Sequence, residues 1–534
     1  MRTAMICCAV LFLPSLARAA TVTATPADYK QKLAGLGPGD VLQLAAGDYL
    51  DGMNVVDLNG TAAQPIVIEG PATGTPARLL GKNGKNTIDI QRASYVTLRR
   101  LLLDGQDIAG IDAIKAGGQA SDWAHHITIE GCTITGHDGG GTSQQTVGIS
   151  TKIVAWDWVV RGNVIDGAGT GMYLGNSDGS RAFIGGVIEG NLFRDTLGYN
   201  MQLKHQNDRG QADVGSVPTD DRFTVIRHNV FIKSNNPSPD GARPNLLVDG
   251  PPDAGPGSKD WVEIYGNLFF HNDDDALFQG NGRLHLHDNV FVDSKHAAIN
   301  VTAHSGKSVI DAWIYNNTIY DTATGVSVGS ASGSVLIFGN AIFSPQAFSG
   351  STSSQQNNVT DSVAGAAAFV VKPGKVLGQM DFFPKAGGGL KGSALDASLV
   401  QADTDHDRDF NGTVKDFSHR GAYHGEGTNP GWALSDALKS TNGSPGSGGT
   451  PGSGGTPGNG GAPSSGGAGG NPSGGTGAAG GSTASGGAAA GGDGDDGGCG
   501  CRLASSAPPT AAGLSALLAL ALAGLRRRRR RGRC

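Results

Sequence analysis

One short phrase recurs down the middle of the chain: a few apolar or β-branched residues, a small or polar residue, Asn, then another short apolar run. It reads Val-Arg-Gly-Asn163-Val-Ile-Asp, Ile-Glu-Gly-Asn191-Leu-Phe-Arg, Ile-Arg-His-Asn229-Val-Phe-Ile and Ile-Tyr-Gly-Asn267-Leu-Phe-Phe. Three more copies are centred on Asn289, Asn317 and Asn340. Successive Asn residues are 28, 38, 38, 22, 28 and 23 positions apart. A repeat with a floor near 22 residues and insertions above it predicts a solenoid whose rungs share a core and differ in their loops.

Val, Ile and Phe on both sides of Asn suit two short strands, and Asn is expected to take the left-handed bend between them. Rungs stack about 4.8 Å apart, so each Asn lies over the next. Its amide both donates and accepts, which permits a ladder. On these residues the chain resembles the right-handed parallel β-helix family, with its internal asparagine ladder, over roughly Pro65 to Phe343. Two earlier turns put Leu101 and Cys132 in the Asn position, and Cys132 reads as a core residue. Thr25-Pro26-Ala27-Asp28 starts a helix, with Tyr29, Leu33 and Leu36 on one face, predicted to cap the open end of the solenoid. The opening from Pro38 to Gly70 is similar to that of β-helical polysaccharide-active proteins, including the chondroitinase and alginate-lyase branch.

Residues 1–19 read as a secretion signal: Arg2, an apolar run from Ala4 to Leu16, and an Ala17-Arg18-Ala19 cleavage site. The predicted order continues with a cap and first strands (20–60), the parallel β-helix (61–345) and a closing segment (346–439). A disordered Gly/Ser/Pro linker (440–498) and a tail with an apolar helix (499–534) follow. The tail, with Cys499-Gly-Cys501, an apolar stretch and arginines at 526–531 and 533, resembles the C-terminal sorting tail of myxobacterial surface proteins. That resemblance implies export, membrane contact before processing, a sorting protease and display at the cell surface. The whole chain carries −6; the tail from Asp493 contributes +5, and Arg2 with Arg18 +2, which leaves −13 for the domain between. Such acidity excludes nucleic acid as a partner. A polyanionic glycan would need a local basic patch or bridging cations. A monomer is expected.

A second strand in each rung aligns as Gly171–Gly175, Asn200–Lys204, Asn245–Asp249, Asp275–Gln279 and Ala298–Thr302. Alternation then puts Met172, Leu174, Met201, Leu203, Leu246, Val248, Ala276, Phe278, Ile299 and Val301 inside. One outward column runs Lys152, Gly175, Lys204, Asp249, Gln279, Thr302; the next runs Ser150, Tyr173, Gln202, Leu247, Leu277, Asn300. Insertions at 207–221, 235–243 and 251–259 flank Lys204 and Asp249, as loops that wall a binding face do. Gly175 is expected to leave room there for a ligand. Tyr173, Asn176, Gln202, Gln206, Gln279 and Asn300 are the expected substrate-binding residues.

Leu203-Lys204-His205-Gln206-Asn207 is similar to a Lys-x-x-Asn stretch of the lyase branch. The resemblance implies β-elimination, which needs a base and a cation for the enolate charge. Lys204, His205, Arg243 and Asp249 are the catalytic candidates. The Arg that the resemblance implies one rung on is replaced by Asp249, and a carboxylate there favours the protonated lysine. A plain surface ion pair is the competing reading, and it would be worth about 0–1 kcal/mol. Asp273, Asp274 and Asp275 suggest the paired acids of a glycoside hydrolase, acting with Asp249, or else a calcium site or a solvated turn. Asp407, Asp409 and Asn411 match the first half of a calcium loop, with Ser418 where the closing Glu belongs; together with Arg420-Gly-Ala-Tyr423 the segment resembles the C-terminal closing motif of such β-helix proteins, a structural role. Ca2+ is the cofactor these patterns imply. His285 and His287 share a strand but lack a third ligand. The function expected first is a polysaccharide lyase cleaving a uronate-containing glycan. The alternatives are a non-catalytic glycan-binding or adhesive surface protein and a hydrolase using paired Asp residues.

Overall fold

The computed structural model describes residues 19–141, 146–209, 214–236, 238–239, 241–351 and 354–440. The secretion signal, linker and sorting tail therefore lie, but for residues 19 and 440, outside the described residues. Within them the chain winds as a right-handed parallel β-helix. Its first face is a stack of thirteen parallel strands among the described residues, from Thr21–Ala24 to Gln355–Gln356. The second face follows each Asn, as in Leu192–Thr196, Val230–Lys233 and Leu268–Asn272. The third includes Thr170–Leu174, Met201–Leu203, Leu246–Val248 and Phe278–Gly280.

The asparagine ladder is present and longer than the repeat indicated. From Asn163 to Asn340, each Asn donates both its backbone N–H and its Nδ2 to the Oδ1 of the next, at 2.8–3.1 Å. The last acceptor is Asn358, only 18 residues beyond Asn340. One expectation is corrected. The left-handed residue is the one before each Asn: Gly162, Gly190, His228, Gly266, Asp288, Asn316 and Gly339 have φ between 50° and 66°. The preceding residue makes the bend, which turns the Asn side chain inward to reach its neighbour. Two residues later Phe193, Phe231, Phe269 and Phe291 stack inside at 4.9, 4.9 and 4.6 Å between ring centres. Repetition thus gives both a polar and an aromatic column within one continuous core.

The N-terminal helix is short, Tyr29–Leu33, and buries Tyr29 and Leu33 over the first turns. Thr25 does not cap it with its hydroxyl. Instead its N–H and hydroxyl donate to Asp28 Oδ1 at 2.7 and 3.0 Å.

The segment after Asp361 returns along the outside of the β-helix. Phe382, Phe383, Phe410, Tyr423 and Trp432 cover the apolar outer side of the second face, formed by Leu192, Val230, Leu268 and Val290. Leu395, Val400 and Phe417 cover Tyr315, Leu336 and Phe338 at the end of the first. Lys415 Nζ donates to the buried Asp288 carboxylate at 2.5 Å, and Lys439 Nζ donates to the Gly266 carbonyl at 2.6 Å. Neither apolar cluster includes a residue of the third face. Packing of the closing segment therefore leaves that face to carry polar side chains.

Candidate functional site on the third face

Third-face strands are three to five residues long, so only one or two outward side chains per rung are held in register. The pairing aligns Ser150, Tyr173, Gln202, Leu247, Gln279 and Asn300 in one column. Gln279 thus stands beside Leu247, two residues out of the expected register, and Leu277 is buried in the core. The slip comes from the turn after Asn272, whose Oδ1 accepts the N–H groups of Asp274 and Asp275 and takes up residues expected in the strand. Phe278 and Gly280, not Ala276 and Phe278, are the inward pair facing Leu246 and Val248.

The strongest concentration of polar contacts is at the end of this strip. Asp249 is 3% exposed, and Lys204 Nζ lies 3.3 Å from its Oδ2. Asn281 Nδ2 donates to Oδ1 at 3.1 Å and Ser305 Oγ to Oδ2 at 3.1 Å; His304 Nδ1 lies 2.9 Å from Oδ1. Burial alone would push the Asp249 carboxyl up, but His304 and Lys204 outweigh it and hold it below the ordinary carboxylate value. The pair is thus a buried cluster rather than a surface ion pair. Every oxygen of Asp249 is already engaged, a poor arrangement for the general acid of a hydrolase.

His205, the next residue along, is half-buried with its Nδ1 unpartnered. Burial lowers its pKa, against the pull of Asp249 and with the help of Lys204, so the imidazole is neutral at pH 7. At the other end of the strand the Arg243 guanidinium sits over the Tyr199 ring, 5.6 Å from its centre. Burial pushes the Tyr199 hydroxyl up to about 12, with Arg243 opposing, so it keeps its proton. Asp249, Asp275 and Tyr173 also raise the pKa of that hydroxyl electrostatically.

Several expected features are differently employed. Lys152 Nζ lies 3.1 Å from the centre of the Tyr173 ring, so one face of that ring already holds a cation. Gly175 does not leave a gap: a Cβ there would meet Lys204 Cβ at 3.2 Å, and its φ of +90° is what requires glycine. Gln206 is buried, donating to the Phe183 carbonyl and accepting from Arg209. Asn176 donates to Asp178 within its own turn. Gln202 is 6% exposed; Gln279 and Asn300 are half-buried. In the loop at 207–221, Val214 and Val217 pack with Trp156 and Ile184 of the first face. Arg209, paired with Asp260, ties that loop through the carbonyls of Pro218 and Asp220.

Most of the candidate calcium ligands have protein partners. Asp409 is buried and its oxygens accept the N–H groups of Asn411, Thr413 and His424 at 2.7–2.9 Å. Asn411 donates to Asn429, and Asp407 lies 3.7 Å from Arg408. Asp273 pairs with Lys295 at 2.7 Å, and Asp274 is exposed. These carboxylates and amides serve turns and ion pairs. Asn281, His304, Ser305 and Tyr199 were not singled out by sequence. They lie at strand ends and turns, where the repeat carries no signal.

No protein-family model matches this chain, and no curated protein sequence matches it. Among solved structures it is similar to the PL6 family alginate lyase AlyGC, at 16% identity and TM-score 0.40, covering 64% of this chain but 51% of that one. A mannuronic acid specific family 6 lyase from human gut microbiota has 13% identity and TM-score 0.39, covering 64% of this chain and 87% of that one. The A-module of the Azotobacter vinelandii mannuronan C-5 epimerase AlgE4 has 14% identity and TM-score 0.38, covering 63% and 90%. This chain thus spans about half the length of the first of them. Likeness at this level assigns neither substrate nor residue roles.

Proposed function

We propose that the third face binds an anionic polysaccharide and cleaves it by β-elimination at a uronate. The observation that carries this reading is the neutral His205 imidazole beside the Lys204 ammonium, on a face that the closing segment leaves uncovered. Lys152, Lys204 and Arg243 supply the local basic patch that an otherwise acidic domain needs for a polyanion. In this mechanism Lys204 faces the uronate carboxylate and stabilises the charge that develops as C5 loses its proton. His205 takes that proton. The C5–H electron pair forms the C4=C5 double bond, the C4–O4 bond breaks, and the proton returns from His205 to the leaving oxygen. Asp249, held by Asn281, His304 and Ser305, positions Lys204. Tyr199 offers a protonated hydroxyl to bound sugar.

The test is a panel of pectate, alginate, chondroitin and neutral glycans, with and without calcium, read by the ultraviolet absorbance of unsaturated uronates. One uronate polymer should give a rising signal. Lys204→Ala should lower the rate about 10²-fold or more, and Asp249→Asn should retain much of it, whereas acid-catalysed hydrolysis through Asp249 would be lost. Cleavage of a neutral glycan, or unchanged turnover in Lys204→Ala and His205→Ala, would overturn the assignment.

A further inference from the structure

Away from the third face, the closing segment brings two histidines and an aspartate together. One ligand atom from each of Asp416, His419 and His424 lies within 4.8 Å of the other two. His419 is 5% exposed, yet its Nε2 has no hydrogen-bond partner. The buried Nδ1 of His424 also lacks one, with Asp416 Oδ1 3.6 Å away. Two unpartnered imidazole nitrogens facing one carboxylate would be costly in an unliganded core.

The surrounding contacts hold these groups in place. Ser418 Oγ lies 3.1 Å from His419 Nδ1, so with the proton on Nδ1 the Nε2 lone pair is free to ligate. The Ser418 N–H donates to Asp416 Oδ1 at 2.9 Å and orients that carboxylate. Asn316 Nδ2 donates to the His419 carbonyl, and the His424 N–H donates to Asp409 Oδ2. Between the histidines, the Gly421 and Ala422 N–H groups bond Gly339 O and Thr318 Oγ1, both at 2.8 Å. The two imidazoles meet edge to face, 4.7 Å between centres. Burial and the neighbouring His424 keep His419 neutral, while Glu426 favours and Lys391 opposes a positive charge there.

We infer that Asp416, His419 and His424 form a binding site for a divalent transition-metal ion of the zinc class. Two imidazoles and one carboxylate suit Zn2+, Co2+ or Ni2+ and not Ca2+ or Mg2+, which prefer all-oxygen sites. Asp416 is 69% exposed on its side chain, which gives the ion a path in and leaves a coordination position for water. The ion would clamp the return segment at the point where it docks on the β-helix, independently of any glycan chemistry on the third face.

The experiment uses untagged full-length protein, stripped with chelator and titrated calorimetrically with ZnCl2, with melting followed in parallel. Cobalt is then substituted and its visible spectrum recorded. One equivalent should bind and raise the melting temperature, and the cobalt bands should lack the intense near-ultraviolet thiolate absorption that ligation by Cys499 or Cys501 would give. His424→Gln and the exposed-site variant Asp416→Asn should each weaken binding at least tenfold and abolish the thermal shift. If His424→Gln fails to fold, Asp416→Asn decides. Equal affinity in the folded variants, thiolate bands in the cobalt spectrum, or the same thermal shift with CaCl2 would overturn the assignment.

Discussion

At the scale of single residues, burial changes what a charged pair means. Lys204 and Asp249 pair as the sequence suggested, but their side chains are only 11% and 0% exposed. Removing Lys204 therefore leaves a buried carboxylate held by His304, Ser305 and Asn281 alone, so Lys204→Ala should cost about 1–3 kcal/mol as well as activity. Buried histidines make the complementary case. His137 is fully buried, its Nε2 has no partner, and burial lowers its pKa to about 4. An unfolded histidine takes up its proton near pH ~6.5. Between those two values the unfolded chain binds more protons than the folded one, so stability falls as pH drops from about 6.5 towards 4. Chemical denaturation at pH 7, 5 and 4 should show this loss, and His137→Gln should reduce it by on the order of 3 kcal/mol at the acid end. An equal acid loss in the variant would show that His137 is not the group responsible.

Repeats at the scale of strands and turns were legible because each rung solves the same problem with the same residue types. The Asn column and the inward Met, Leu and Phe positions came directly from spacing and alternation. Where a rung departs from the pattern, spacing misleads: the Asn272 turn shifted Gln279 by two, and the short final rung hid Asn358. The site was less legible for the same reason. Lys204 and Asp249 lie just past strands and could be aligned, but His304 and Ser305 come from a turn specific to one rung. Asn267 tests the ladder itself. It donates to Asn289 Oδ1 and to the Ile226 carbonyl, and it accepts two N–H groups from Asn229. Asn267→Leu fits an apolar interior and keeps the backbone N–H bond to Asn289, but it takes the acceptor from two Asn229 N–H groups and a donor from the Ile226 carbonyl, at about 1–3 kcal/mol for each group left unpaired. A lowered denaturation midpoint is expected, and an unchanged one would mean that the amides do not stabilise the turns.

For the molecule as a whole, the solenoid has an apolar outer side that its own strands cannot bury. Leu192, Val230, Leu268 and Val290 project from the second face, and the chain covers them by returning with Phe382, Phe383, Phe410 and Tyr423. That cover decides where function can sit, since it occupies the second face and one end of the first and leaves the third open. Its attachment is polar as well as apolar, through Lys415 to Asp288, Tyr315 to Asp403 and Lys439 to Gly266. Ending the chain at Asp361 should therefore expose a continuous apolar stripe and strip buried groups such as Asp288 of their partners. Such a chain should bind a hydrophobic dye, self-associate in sedimentation and melt well below the full protein. Replacing Lys415 by Met within the full chain should produce a milder form of the same change, because it removes one anchor and keeps the apolar cover. A truncated chain that stayed monomeric and melted at the full-length temperature would show that the β-helix closes on its own and that the returning segment serves another purpose.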